Sequence, residues 1–174
     1  MLDGNRLSYC VKKGRIKFCL LKKIIVSKTK TFLLVDDDTD DALVFGEVLA
    51  DVNAAIDFKT ATDGQDALQQ LTAENAVLPD IIFLDLNMPR MDGKQCLFEI
   101  KNNEKLRNIP VMMYTTSSHS ADIEQTMQLG AACFITKPSD FKELKNILSI
   151  IAENTNNLPK ALQILSRQSS WILC

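Results

Sequence analysis

The sequence has very little histidine: His119 is the only one among 174 residues. The five cysteines show no closely spaced pair, so cysteine and histidine together provide no ligand set for zinc. We interpret Cys96 and Cys133 as small buried residues, and we take this cysteine usage as typical of a reduced compartment. The sequence therefore predicts a cytoplasmic protein without a zinc site.

Long hydrophobic runs are also missing from the sequence. The strongest candidate, residues 18–26, is interrupted by Lys22 and Lys23, which leaves it too short for a membrane span or a good signal peptide. We therefore expect no transmembrane segment.

Charge is unevenly divided along the chain. Residues 1–30 contain nine Lys or Arg and a single acid, whereas residues 31–174 contain eleven Lys or Arg and twenty-one acids. The acidic body argues against nonspecific binding of nucleic acid. We interpret residues 1–30 as a disordered basic extension, and contact of this extension with a membrane surface or another polyanion is the alternative.

Four short apolar runs, each followed by polar side chains, dominate the middle of the chain. Such runs are typical of strands buried in a parallel sheet, and helical patterns alternate with them as in βαβ units. The carboxyl ends of parallel strands share one edge of the sheet, where ligands bind. The runs and the residues after them are 31–35 before Asp36 and Asp37, 81–84 before Asp85, 111–114 before Thr115, and 132–135 before Thr136 and Lys137. The sequence therefore predicts a metal site with a phosphate-sized anion site beside it.

The ordered set of these residues resembles the receiver domain of two-component response regulators. The matching residues are Asp36 and Asp37, Asp85 in the segment 84–89, Thr115, Phe134, and Lys137 followed by Pro138. Steps of 48, 30 and 22 residues separate Asp37, Asp85, Thr115 and Lys137, and each is long enough for a helix and a strand. The whole set is far more specific than any one of its members. The resemblance covers residues 31–154.

The strand pattern, with a further strand at 55–60, indicates an α/β fold of the flavodoxin-like (CheY-like) type. We expect a doubly wound sheet of five parallel strands in the order 2-1-3-4-5, with helices on both faces. This order places the first strand beside the third, which brings Asp36 and Asp37 next to Asp85. Three clustered carboxylates repel one another unless a cation neutralises them, and an oxygen-only set suits Mg²⁺.

The resemblance implies a role for each residue of the site. Asp85 is the phosphoacceptor, and Lys137 and Thr115 contact the phosphoryl group. The implied ligands of Mg²⁺ are Asp36, Asp37, Asp85 and the backbone carbonyl of Asn87. We interpret the neighbouring acids Asp38, Asp40 and Asp41 as solvated residues at a helix start.

The resemblance also implies a switch. Thr115 is expected to move toward the phosphoryl group, and Phe134 to turn into the space behind it. The alternative for Phe134 is a plain core residue of a buried strand. The peptide bond between Lys137 and Pro138 is expected to be cis.

The function implied is that of a single-domain response regulator in a phosphorelay. Asp85 accepts a phosphoryl group from a sensor histidine kinase or a histidine phosphotransfer protein, and the output is a phosphorylation-dependent contact with an unidentified downstream protein. The donor acts in trans, since His119 is the only histidine. Such a protein is a phosphoacceptor with slow self-catalysed transfer and dephosphorylation, not a conventional enzyme, and a homodimer stays open.

Two other functions are compatible with parts of the sequence. One is a degenerate receiver that binds partners independently of phosphorylation, although the chemical residues of the family are all present. The other is a haloacid-dehalogenase-like phosphatase, but that class places a second Asp two residues after its nucleophile, where this chain has Asn87.

Local signals complete the prediction. The segment 155–174 is too short for a helix-turn-helix, which argues against direct DNA binding, and its apolar spacing indicates a helical tail that docks on the domain or on a partner, or else a frayed end. Helix starts are expected at Thr39, Ser120 and Ser139. The apolar stripe of the first helix is expected at Leu43, Val44, Val48 and Val52, and that of the last helix at Phe141, Leu144, Ile147, Leu148 and Ile151.

Overall fold

The computed structural model describes residues 11–12, 15–16, 29–168 and 172–173. Its elements are β1 (Val11–Lys12), β2 (Arg15–Ile16), β3 (Thr31–Val35), α1 (Thr39–Asn53), β4 (Asp57–Ala61), α2 (Gly64–Thr72), β5 (Ile81–Leu84), α3 (Gly93–Asn102), β6 (Val111–Thr115), α4 (Ser120–Gln128), β7 (Cys133–Thr136), α5 (Phe141–Glu153), α6 (Leu158–Gln168) and β8 (Ile172–Leu173). Most of the segment predicted to be a disordered extension lies outside the described residues, and its two described strands, β1 and β2, pair with each other.

The main sheet has six strands in the order β4-β3-β5-β6-β7-β8. The first five are parallel, so the predicted order 2-1-3-4-5 is confirmed. The sixth strand, β8, is an addition to the predicted fold. It pairs antiparallel with β7 and forms one edge of the sheet. Because β3 lies directly beside β5, with Val35 opposite Leu84, the residues that follow these two strands are neighbours.

The core has two halves, one on each face of the sheet. Alternate residues of the strands point to opposite faces, so the buried strands contribute to both halves. One half, between the sheet and helices α2, α3 and α4, includes Val35, Leu84, Met113 and Phe134. The other half, toward α1, α5 and α6, includes Phe32, Phe45, Phe83 and Ile135. Helices on both faces are what the parallel sheet requires.

Aspartates, not Thr39 and Ser139, cap the helices that begin near the predicted starts. The side chain of Asp38 accepts hydrogen bonds from the backbone N–H groups of Asp40 and Asp41 and caps α1. Asp140 caps α5 in the same way. A short carboxylate directly before the helix satisfies free N–H groups and also interacts favourably with the helix dipole. The helix α4 begins at Ser120, and its cap residue His119 makes no side-chain cap hydrogen bond.

The predicted apolar stripe of α1 is partly wrong. Leu43 and Val44 are 65% and 41% exposed, whereas the buried residues are Phe45, Val48 and Leu49. The segment 42–45 is apolar throughout, so its pattern fits more than one phase of a helix. The large aromatic ring of Phe45 takes the core position, and this rotates Leu43 and Val44 toward solvent.

The stripe of α5 is confirmed except at its first member. Leu144, Ile147, Leu148 and Ile151 are buried, but Phe141 is 52% exposed. The helix starts at Phe141, one residue after its cap, so this side chain lies at the end of the helix beyond the edge of the core.

The segment after α5 packs back onto the domain. Ala161 and Leu165 of α6 are buried, and Ile172 of β8 is buried as well. Asn146 of α5 donates a hydrogen bond to Gln168 at 3.1 Å. No helix among the described residues is long and apolar enough to cross a membrane.

The two cysteines interpreted as buried are both fully buried. Cys96 is a free thiol, and burial raises its pKa to about 12, so it is unreactive at neutral pH. Cys133 is disulfide-bonded, which the cysteine usage, interpreted as typical of a reduced compartment, did not predict.

Candidate functional site

Three carboxylates meet at the carboxyl ends of β3 and β5. Asp36 and Asp37 follow β3, and Asp85 follows β5. Their carboxylate oxygens include one from each residue that all lie within 4.8 Å of one another. Asp36 and Asp85 are buried, whereas Asp37 is exposed and leaves the cluster open to solvent. The structure therefore brings together the three acids that the strand order predicted.

Asp36 and Asp85 are incompletely compensated by the protein. Asp36 accepts one hydrogen bond from the backbone N–H of Asp38 at 3.1 Å. Burial raises the pKa of Asp36 above its ordinary value, although the ammonium of Lys137 opposes this. The Oδ1 atom of Asp85 is buried and has no hydrogen-bond partner among the described residues. A buried carboxylate oxygen without a partner is costly, so this atom is expected to bind a group from outside the chain.

Lys137 brings a positive charge to the same edge from the end of β7. Its Nζ atom lies 2.7 Å from a carboxylate oxygen of Asp36 and 2.7 Å from one of Asp41. Burial alone would lower the pKa of Lys137, but these two carboxylates hold it well above its ordinary value. The Lys137 ammonium also lies 5.6 Å from the ring centroid of Tyr114. Lys137 is therefore a permanent cation at the rim of the acid cluster.

Asp41 has a role at the site that the sequence pattern does not predict. The sequence pattern predicts a solvated residue of the helix start, yet Asp41 pairs with Lys137, which is 96 residues away in sequence. The only available signal was its position in the first turn of α1, one turn beyond the strand end. That signal does not distinguish it from Asp40, which makes no such contact with Lys137.

Thr115 lies at the end of β6 and is fully buried. Its hydroxyl oxygen accepts a hydrogen bond from the backbone N–H of Ser117 at 3.3 Å, and its carbonyl accepts one from the N–H of Lys137 at 2.7 Å. The hydroxyl of Ser117 donates to Asp122 at 2.8 Å, and Asp122 forms an ion pair with Lys94 at 2.8 Å. Thr115 is thus connected by hydrogen bonds to the first turn of α4 and to α3.

The loop after Asp85 contains Asn87, which is exposed, and ends at Gly93, the first residue of α3. A Cβ atom at Gly93 would lie 2.1 Å from the backbone oxygen of Asp85. The helix can therefore approach the strand end this closely only with glycine at the contact.

Phe134 is fully buried in β7 and packs in the half of the core that faces α4. Its neighbours in the sheet are Met113 of β6 and Leu173 of β8. At Phe134, β7 is thus paired with a strand on each side, and the side chain lies in the core of the domain.

The expected cis bond before Pro138 is not present, because the described residues contain no cis peptide bond. For a bond to proline the trans form is favoured by about 0.5–1 kcal/mol. The position of Lys137 is instead held by the hydrogen bond of its own N–H to Thr115 and by its two carboxylate partners.

The donor set at the acid cluster is suited to Mg²⁺. Within the part of the chain that the structure describes, it consists of carboxylate oxygens, one of them buried and without a partner, and contains no thiolate or imidazole. Mg²⁺ prefers such oxygen ligands and keeps several waters, which the exposed side of Asp37 would accommodate. The residues present therefore fit a divalent cation.

Comparison with known proteins agrees with this geometry. A family model for the response regulator receiver domain matches residues 32–149. The chain is 37% identical over 119 residues to Response regulator Rcp1 of Synechocystis sp., covering 66% of this chain and 81% of that protein. It is 31% identical over 124 residues to the Probable methanogenesis regulatory protein FilR2 of Methanothrix harundinacea, covering 70% and 80%.

Solved structures give the same result. The fold is similar to that of the phosphorylated cyanobacterial phytochrome response regulator RcpA, with a TM-score of 0.68 and 34% identity over 74% of this chain and 95% of that one. It is also similar to the Mn²⁺-bound form of Rcp1, with a TM-score of 0.65 and 34% identity over 71% and 92%. Because the family model spans well over half of the chain, including the strands that position Asp85, this chain belongs to the family of response regulator receiver domains.

Proposed function

We propose that this chain is a phosphoacceptor that takes a phosphoryl group from a phosphohistidine of a sensor histidine kinase or a histidine phosphotransfer protein, and that Asp85 is the acceptor. The observation that supports this most directly is the buried, unpartnered Oδ1 atom of Asp85 beside two acids and the Lys137 ammonium. The family membership of the chain supports the same reaction.

In the proposed transfer, a carboxylate oxygen of Asp85 forms a bond to phosphorus. The bond between phosphorus and the donor's imidazole nitrogen breaks, and that nitrogen keeps the electron pair. The product is an aspartyl phosphate on Asp85 and a free histidine on the donor. Since the exposed Asp37 marks the open side of the cluster, we place the approach of the donor there.

The residues that would hold Mg²⁺ are Asp37, Asp85 and the carbonyl of Asn87, with Asp36 acting through water. When bound, the ion neutralises charge on the transferring oxygens. Lys137 is the positive charge that the protein itself provides at the acid cluster. It can exchange its ion pair with Asp36 or Asp41 for one with a phosphoryl oxygen. The hydroxyl of Thr115 would donate a hydrogen bond to another phosphoryl oxygen.

We place the output on the surface around residues 119–150. The phosphoryl group has close to two negative charges at neutral pH, and because the Asp85 carboxylate loses its own charge on forming the new bond, the site becomes more negative by about one charge. Movement of Thr115 toward the phosphoryl group would break the hydrogen bond that its hydroxyl accepts from the Ser117 N–H. The Ser117 hydroxyl also donates a hydrogen bond to Asp122 in the first turn of α4. Phe134 is the proposed second switch residue. The downstream partner would contact this surface in the cytoplasm.

The central test compares the native chain with Asp85→Asn. After incubation with acetyl phosphate and Mg²⁺, the intact mass of the native chain is expected to rise by one phosphoryl group, and that of Asp85→Asn to stay unchanged. The matched control is Asp92→Asn, which changes an acid of the same loop but keeps an oxygen to cap α3. A phosphoryl gain in Asp85→Asn equal to that of the native chain would contradict the proposal.

Mg²⁺ is expected to raise the melting temperature of the native chain. An ion that binds only the folded state at a hundred times its dissociation constant stabilises it by about 2.7 kcal/mol. Because burial raises the pKa of Asp36, protons compete with the metal as the pH falls, so the effect should shrink toward acid pH. Differential scanning fluorimetry at matched ionic strength measures this. Asp37→Asn should lose most of the gain; an equal gain in that variant would contradict the assignment of the ligands.

A further inference from the structure

The loop between β5 and α3 is fixed at both ends by backbone hydrogen bonds. At one end the N–H of Asp85 donates to the carbonyl of Val35 at 2.9 Å. At the other the N–H of Gly93 donates to the carbonyl of Leu86 at 2.9 Å. The residues between, 87–92, include the exposed Asn87, whose carbonyl is a proposed ligand of Mg²⁺.

The middle of this loop contains an unfavourable backbone conformation. Arg90 has a φ of 62°, and among the described residues it is the only one other than glycine with a positive φ. Residues with a Cβ atom seldom adopt this left-handed region, because Cβ comes too close to the following carbonyl oxygen. The conformation therefore persists only if other contacts of the loop hold it in place.

The side chain of Arg90 makes such a contact. Its Nε atom donates to Oδ2 of Asp63 at 2.5 Å, and its terminal NH2 group forms an ion pair with the same carboxylate. Arg90 is 61% exposed, but Asp63 is completely buried. An ion pair with one fully buried member is unlike an ordinary surface pair, since its removal leaves a buried charge without a cation.

Asp63 is itself held rigidly. It is the N-cap of α2, and its Oδ1 atom accepts hydrogen bonds from the N–H groups of Gln65 at 2.8 Å and Asp66 at 2.9 Å. Burial alone would raise the pKa of Asp63, but these N–H groups and the Arg90 guanidinium lower it below its ordinary value. The guanidinium of Arg90 is therefore bound to a charged group with a fixed position.

The next residue of each segment adds a second contact. The N–H of Gly64 donates to the carbonyl of Met91 at 3.3 Å. A Cβ atom at Gly64 would lie 2.7 Å from Cγ of Met91, so the start of α2 and the loop are in close contact here. The pair Asp63 and Gly64 thus holds two consecutive residues of the loop.

We propose that Arg90 is a positioning residue for the metal site, which keeps the loop that contains Asn87 in its binding conformation through the ion pair with buried Asp63. The inference rests on the proposed function, because it assumes that this loop provides a ligand. It extends the site to Asp63, the residue that caps α2, which is neither a proposed ligand of the metal nor a proposed contact of the phosphoryl group.

The test is the dissociation constant of Mg²⁺, measured by isothermal titration calorimetry on the full chain. Arg90→Ala is expected to weaken Mg²⁺ about tenfold, in the range found when a residue that orients metal ligands is removed. Arg90→Lys keeps the charge but lacks the planar guanidinium group, so its Mg²⁺ affinity should lie between those of the native chain and Arg90→Ala. Asp63→Asn keeps an oxygen to cap α2 and should match Arg90→Ala. Because both substitutions remove the same ion pair, the double variant should bind Mg²⁺ no more weakly than either single variant.

The matched control is Lys30→Ala, which removes an ion pair with Asp80 at the opposite end of β3. Its Mg²⁺ affinity should equal that of the native chain. If Arg90→Ala lowers the melting temperature but leaves the Mg²⁺ affinity unchanged, or if the two single effects simply add, the inference is overturned. If the native chain binds no Mg²⁺ and gains no phosphoryl group, the proposed function itself fails, which is a distinct outcome.

Discussion

Replacement of Lys137 by methionine is expected to lower the rate of phosphorylation by acetyl phosphate about a hundredfold, the typical cost of removing one group that stabilises developing charge. Methionine keeps much of the length of the side chain but removes the charge. Asp36 and Asp41 would lose their shared cation, and the phosphoryl oxygens would lose theirs. The time course of the intact mass, recorded with saturating Mg²⁺, measures this rate.

The control for this variant is Lys145→Met. Lys145 also forms an ion pair with an acid of α1, Asp51, but both side chains are largely exposed. Its phosphorylation rate should match that of the native chain. A rate for Lys137→Met within a factor of two or so of the native rate would contradict the role assigned to Lys137, provided that the variant is folded.

The second large effect is on stability. Phe45→Ala is expected to lower the free energy of unfolding by about 3–5 kcal/mol, the usual cost of removing a buried phenyl ring. Phe45 is fully buried, and its ring centroid lies 5.6 Å from that of Phe58, 4.9 Å from that of Phe83 and 5.4 Å from that of Tyr114. It is therefore the centre of the aromatic cluster between α1 and the sheet. Urea denaturation followed by circular dichroism measures the change.

Leu43→Ala on the same helix is the matched control. Leu43 is 65% exposed, so its truncation should change the free energy of unfolding by no more than about 0.5 kcal/mol. Equal losses in the two variants would contradict the orientation of α1. The pair of variants also tests the point at which the sequence pattern and the structure disagree most.

The site was predictable where it depends on the order of strands. Each parallel strand places the residue after it at one shared edge, and β3 lies beside β5, so Asp36, Asp37 and Asp85 meet regardless of how the helices pack. The same rule brings Lys137 to the edge from β7. These placements follow from a pattern of apolar runs that the chain displays clearly.

The contacts that were missed depend on side chains that are distant in sequence. Asp41 pairs with Lys137, and Arg90 pairs with Asp63 across 27 residues, and neither acid differs from its neighbours in any local pattern. The rotation of α1 was mispredicted for a related reason. Several consecutive apolar residues allow more than one buried face, and the fit of the Phe45 ring against three other rings decides between them.

The edge strand β8 also could not be predicted from periodicity. Two residues are too few for an alternating pattern, and the pairing depends on β7 having a free edge next to it. The apolar residues near the end of the sequence are compatible with docking or with a frayed end, and they do not identify a partner strand.

The position of the phosphoryl group along the chain can be determined directly. After phosphorylation with acetyl phosphate and Mg²⁺, borohydride reduces an aspartyl phosphate to homoserine, which peptide mapping by mass spectrometry can place. The assignment of Asp85 as the acceptor predicts homoserine at position 85 and nowhere else in the chain. Homoserine at another aspartate, with position 85 unchanged, would contradict it.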